Sequence, residues 1–374
     1  MSELIPIFLV SMVLAYLSHH ISVYDPMKQN YERKERFFLI IMTFFMVLFI
    51  GLRTDYNDTT TYRRIYELIP ADVDLFAGID WLALGDNPGF VFTNRLLVKL
   101  GFSTQSYIMF YAIITTSIYA WFIHKYTSNI WLSFFLMFTM GIFTFPLAAI
   151  KQCTAMAFCI LATDRAIRKK HVSFVIFTLI ASTFHAYALM YFIVPFLFFR
   201  PWSSMTYLMM IATVIIAVSL QSLLGTVLNI TDMLGEGYDE NSFTGEGINI
   251  FRLAVHMVPV LISYLVRPSL AERNDRTNNL ITNLATVNAA IMFVGLFGTA
   301  NYFGRLANYF QIFQCISLVW LFTHLDRKSR QPFIILSCSC YLLYFIYTYS
   351  IHESFDGGYK AVKFWDYIES LIYG

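Results

Sequence analysis

The stretch "VSFVIFTLIASTFHAYALMYFIVPFLFF", residues 172–199, decides how this chain is threaded. Its 28 residues are apolar almost throughout, with His185 near the middle. At a rise of about 1.5 Å per residue it is long for one helix across a bilayer and short for two full crossings. Similar apolar runs cover residues 4–23, 37–52, 105–123, 128–147, 148–164, 205–225, 252–266, 279–297, 306–323 and 331–350. Charge decides how often the 172–199 run crosses. Counted as two short passes meeting near His185, it leaves inner loops at 24–36, 124–127, 165–171, 200–204, 267–278 and 324–330. These hold 16 of the 26 Lys and Arg residues. Counted once, it moves Arg267–Arg276 and Arg327–Arg330 outside, against the positive-inside tendency. The reading is an all-α polytopic membrane bundle of about 12 crossings, with both termini outside and some helices short or broken.

Composition supports this reading. Hydrophobic residues make up 57% of the 374 and charged residues only 13%, outside the range of an ordinary soluble domain. The runs are longer than the alternating ten-residue segments of a β-barrel. A net charge of +2 gives no case for nucleic acid. The five cysteines (Cys153, Cys159, Cys315, Cys338 and Cys340) lie in apolar runs and form neither a disulfide framework nor a zinc pattern. Leu4 to Val23 lacks a preceding basic region and a small-residue cleavage site, so it reads as a retained first span. Trp121, Trp131, Trp202 and Trp320 fall near predicted inner ends, as an interfacial belt would. No internal repeat or linker divides the chain, which reads as a single domain over 1–374.

Polar chemistry collects on the other side. Residues 53–104 form a large extracytoplasmic loop with interfacial helices, in which Leu96, Leu97 and Leu100 follow Phe90 and Phe92. A second loop, 229–249, is acidic. At the outer ends of spans stand Arg53, Lys151 with Gln152, His185, Arg252 with His256, and Arg305. Ionisable groups within spans usually face a cavity or one another. Four cations and two histidines on one face suit an anion, and a lipid-linked phosphate or diphosphate arriving sideways from the bilayer fits them. Taken singly, Arg252 is more often a snorkelling anchor and His185 more often a hydrogen-bonded structural residue. Asp58 and Tyr62, one turn apart, can equally cap or brace a loop helix.

Five stretches carry a likeness: "GLRTDYNDTTTYRRIYE" (51–67), "NPGF" (87–90), "AAIKQCTAMAF" (148–158), "IASTFHAYALMYFIVPF" (180–196) and "GRLANYFQIFQ" (304–314). In this order they resemble the EpsG family of bacterial exopolysaccharide polymerases, grouped with the Wzy-type repeat-unit polymerases. The resemblance places Arg53, Asp58, Tyr62, His185 and Arg305 on motif positions. The family usually carries an acid where this chain has Asn87, and Arg-Gln where it has Lys151-Gln152. What the resemblance implies is a GT-C-like glycosyltransferase of the bacterial cytoplasmic (inner) membrane, with its active site outward. It would join undecaprenyl-diphosphate-linked oligosaccharide units into exopolysaccharide, capsule or O-antigen, inverting and without metal or cofactor, and a chain-length regulator could be a partner.

In that reading Arg53, Lys151, Arg305 and Arg252 bind diphosphate. His185 is the first choice as base and Asp58 the second, while Tyr62, Gln152 and His256 bind or position sugar. A flippase or transporter of lipid-linked oligosaccharide also needs a cationic cavity, but would spread polar groups through the membrane. An O-acyltransferase of surface glycan needs a histidine facing a cytoplasmic acyl donor, and the sequence offers none convincing.

Overall fold

The computed structural model describes residues 2–21, 23–25, 30–32, 36–233, 247–272, 275–352 and 355–373. Most of the acidic loop 229–249, with Glu236, Asp239, Glu240 and Glu246, lies outside the described residues, as do Lys28, Arg33 and Lys34. Among the described residues the fold is all-α, with two small two-stranded ribbons.

In chain order the elements are α1 (Leu4–His20), β1 (Val23–Asp25), β2 (Asn30–Glu32), α2 (Phe37–Gly51), β3 (Arg53–Asp55), α3 (Thr59–Glu67), α4 (Pro88–Lys99), α5 (Thr104–Tyr126), α6 (Ile130–Thr139), α7 (Phe145–Ala148), α8 (Ile150–Ile167) and α9 (His171–Phe184). A 3₁₀ segment, Ala186–Leu197, follows. Then come α10 (Ser204–Val218), α11 (Leu220–Met233), α12 (Ile250–Leu265), α13 (Arg267–Glu272), α14 (Arg276–Val294), α15 (Ala300–Phe322), α16 (Arg327–Ile346), α17 (Phe355–Gly358), β4 (Lys360–Ala361) and α18 (Phe364–Tyr373).

Each apolar run read from the sequence is helical. Among the described residues Thr104–Tyr126 and the stretch Arg327–Ile351 are long and apolar enough to cross a membrane, and seven further apolar helices are 10–17 residues long. Two runs expected to be continuous are divided. The run 128–147 stops at Thr139, where Gly141 takes a left-handed φ of 78°, a conformation open to glycine because it has no Cβ. The run 205–225 is split at Ser219 between α10 and α11.

The 172–199 run breaks where expected. Helix α9 ends at Phe184, His185 is extended at φ −161°, and the 3₁₀ segment folds back. Phe174 and Phe192, on the two arms, have ring centroids 6.1 Å apart. Both arms end together. Asn283 Nδ2 donates to the carbonyls of Leu197 and Phe199 at 2.9 and 2.7 Å. Arg276 donates to the Ile167 carbonyl, just before α9, and stacks on Phe198. Residues 172–199 therefore form a hairpin with His185 at its tip.

The other helices share these two ends. At one, Gln105 Nε2 donates to the Gly51 carbonyl, Gln152 Nε2 to that of Arg305 and Gln311 Nε2 to that of Met140. At the opposite end Lys125 pairs with Asp164, Trp202 Nε1 donates to Ser263 Oγ, and Arg330 donates to the Thr323 carbonyl. The core between is aromatic and aliphatic, with Phe122, Phe134, Phe138 and Phe313 sealed inside. The loop after β3 is packed down rather than free. Tyr66 stacks on Tyr107, Tyr111 Oη donates to Asn94 Oδ1, and Gly89 approaches Thr183 so closely that a Cβ would clash.

Candidate functional site

Helix α2 ends at Gly51, and the chain turns into β3, which pairs antiparallel with β4 from the far C-terminal part. This turn carries Arg53 inward, where it is 1% exposed. Its Nη1 donates to the Ile50 carbonyl at 2.5 Å, Nη2 to the Pro146 carbonyl at 3.1 Å and Nε to Thr59 Oγ1 at 3.0 Å. Thr59 in turn donates to the Leu147 carbonyl. Main-chain oxygens near a broken helix need donors, and one planar guanidinium supplies three at fixed angles. Arg53 thus clamps the end of α2 to the short helix α7. It was expected to bind diphosphate, but its donors are turned to the protein interior and it is absent from the cavity wall.

The break at Pro146 lets α8 start afresh at Ile150, with Lys151 in its first turn. Gln152, 3% exposed, donates to the Arg305 carbonyl at 2.6 Å and pins the start of α8 to α15. The Tyr62 phenol lies at the Lys151 main chain, with Asp58 and Arg305 in electrostatic reach. Burial first, and then the Asp58 charge, push its ionisation well above the ordinary tyrosine value, so at neutral pH it is a hydroxyl. Asp58 itself is exposed at the start of α3.

At the hairpin tip His185 is 7% exposed and its Nδ1 lies 2.8 Å from Tyr309 Oη. The Tyr187 ring stands 5.2 Å away, and Lys151 and Arg305 are the cations in electrostatic contact with the imidazole. The Tyr309 carbonyl accepts from Tyr191 Oη at 2.8 Å, which ties the 3₁₀ arm to α15.

On the other flank of Arg305 opens a cavity of about 550 Å³, walled by Arg252, His256, Arg305, Asn308, Gln311 and Tyr349 among others. Gly304, Arg305, Asn308 and Gln311 reach it because i, i+1, i+4 and i+7 fall on one side of a helix. Arg252 lies flat on Gly304, where a Cβ would stand 3.3 and 3.4 Å from its terminal nitrogens. His256 is 1% exposed, with Nδ1 2.7 Å from Asn288 Oδ1. Because Asn288 Nδ2 donates to the Ala307 carbonyl at 2.6 Å, its Oδ1 must accept, so His256 Nδ1 carries the hydrogen.

The expected residues therefore form two groups that meet at Arg305: Lys151, Gln152, Tyr62 and His185 on one side, Arg252 and His256 on the other. Arg53 supports them from within, and Asp58 stands outside. Sequence reasoning passed over Tyr309 and Asn288. Tyr309 had a signal, four residues after Arg305 and so on the adjacent turn. Among the described residues no three His, Cys, Asp or Glu side chains converge as metal ligands.

A sequence model of the EpsG family matches residues 36–367, nearly the whole chain. No curated protein matches the chain. No solved structure matches it either.

Proposed function

Since the chain belongs to the EpsG family, we propose that it polymerises exopolysaccharide, joining undecaprenyl-diphosphate-linked repeat units on the outer face of a bacterial cytoplasmic membrane. The convergence on Arg305 carries this reading: three cations and a tyrosine-held histidine come together from segments spread over more than 150 residues. In this reading α1, α2, α5, α6, α8, α9, the 3₁₀ arm, α10, α12, α14, α15 and α16 are twelve crossings, and the Arg305 end faces outward.

Arg305 holds the donor diphosphate, with Lys151 and Arg252 on either side, and they stabilise the charge that develops as it leaves. With Nδ1–H directed to the Tyr309 oxygen, His185 Nε2 takes the proton of the acceptor hydroxyl. That oxygen bonds to the anomeric carbon as the carbon–oxygen bond to diphosphate breaks, its electron pair leaving with the diphosphate. Attack from the opposite face inverts the centre, and the cationic side chains neutralise the leaving group without a metal. Tyr62, Gln152 and His256 position the sugars and their supports, and Asp58 is the second candidate for the base. A chain-length regulator is a fitting partner. A host strain lacking the protein should accumulate single lipid-linked repeats and make no polymer until the gene is restored. Normal polymer in that strain contradicts the reading.

A further inference from the structure

A second recess, a groove of about 1020 Å³ between α2, α5 and α18, has its mouth at the end of the bundle opposite Arg305. Its walls are apolar, through Ile40, Phe44 and Ile113, and its mouth is basic, through Arg36, Lys125 and Arg168. Among the described residues the cations at the mouth outnumber the acids. Asp164, 1% exposed, is the carboxylate there, and it is shared by Lys125, Arg165 and Arg168, while Tyr126 Oη donates to it at 2.7 Å. Among the described residues three cations share this one carboxylate, and Arg36 stands beside them on the groove wall. Lys125 also stands 4.8 Å from the ring centroids of Trp121 and Tyr126, an arrangement suited to the membrane–water boundary.

Along α2 it runs from Arg36 to Leu48, about 18 Å at 1.5 Å per residue and nearly the whole length of that crossing, so a chain entering at the basic mouth follows the helix toward the Arg305 end. Phe364, Tyr367 and Ile368 of α18 close its other end, and Tyr367 Oη lies 3.4 Å from Ser106 Oγ.

We propose that this groove is a binding site for an anionic phospholipid of the inner leaflet, its phosphate at Arg36, Lys125 and Arg168 and an acyl chain along Phe44 and Ile113. The lipid-linked donor is excluded because its diphosphate belongs at Arg305, the other end of the bundle. The proposal rests on the membrane reading above.

The test reconstitutes the full chain into vesicles of phosphatidylcholine carrying a trace of phosphatidylglycerol with a photoreactive acyl chain. Crosslinks should map to peptides containing Phe44 and Ile113. Unlabelled phosphatidylglycerol should compete, whereas added phosphatidylcholine or inorganic phosphate should not. Arg36→Gln and Arg168→Gln should each lower labelling about fivefold, the worth of one interfacial charge. Ser117→Trp, which fills the groove without touching charge, should abolish it. Labelling that is indifferent to head group, or unchanged in Ser117→Trp, shows bulk lipid only and overturns the groove. A chain that does not enter vesicles at all overturns instead the membrane reading beneath it.

Discussion

At the scale of single residues, Arg53 and Arg305 divide the work that one charge can do. A guanidinium bonded to the Ile50 and Pro146 carbonyls and to Thr59 cannot turn to a substrate without orphaning buried oxygens. Arg53→Ala should therefore destabilise the protein by about 3 kcal/mol, and Arg53→Lys should recover only part, because an ammonium lacks the fork. Thermal melting in detergent checks this, and an unchanged midpoint refutes the clamp. Arg305→Ala should instead leave melting within about 1 kcal/mol, as for an exposed position, yet abolish polymer. Tyr309→Phe removes the hydroxyl against His185 Nδ1 and should lower kcat about tenfold with little change in KM. A change confined to KM would make Tyr309 a substrate contact.

The sequence made His185 visible because it interrupts an apolar run, and Arg305 because it stands at the end of one. Arg53 was visible as a cation, but nothing local told that one of its acceptors would be the Pro146 carbonyl, 93 positions away. Tyr309 is one of 24 tyrosines, and only the tip of a hairpin folded onto α15 distinguishes it.

At the scale of elements, the hairpin at 172–199 and the loop helix α4 form one device. Gly89 near the start of α4 leaves no room for a Cβ beside Thr183, two residues before His185. Gly89→Val should lift α4 from the hairpin tip and reduce polymer well below wild type at equal membrane yield, measured by quantified blot and product sizing. Full activity would show that the loop does not set the tip. Asn87, just before α4, is buried with a left-handed φ of 53°, which asparagine tolerates, so this position serves as a turn. The break at His185 could be read from length and charge. Those at Gly141 and Ser219 could not, since glycine and serine also occur inside helices that pack closely in membranes. Nor could the pairing of β3 with β4, which joins residues some 300 positions apart.

At the scale of the whole molecule, Lys125, Arg165, Arg168 and Arg330 lie at the end of the helices opposite the candidate site, which gathers where helices α2, α6, α8 and α15 begin or end. An outward-facing site predicts that, in a Cys340→Ser background, a cysteine at exposed Asn57 reacts with an impermeant maleimide on intact cells. One at exposed Lys170 should react only after the membrane is opened. The reverse pattern inverts the orientation.

The central claim is that cations meeting at Arg305 drive glycosyl transfer between lipid-linked repeats. Its most direct test is the purified protein incubated with a synthetic polyprenyl-diphosphate repeat unit, with chelator present, and sizing of the product. The account predicts a ladder for wild type and none for Arg305→Ala or His185→Ala. A single transferred unit, no transfer, or an undiminished ladder from Arg305→Ala would contradict it.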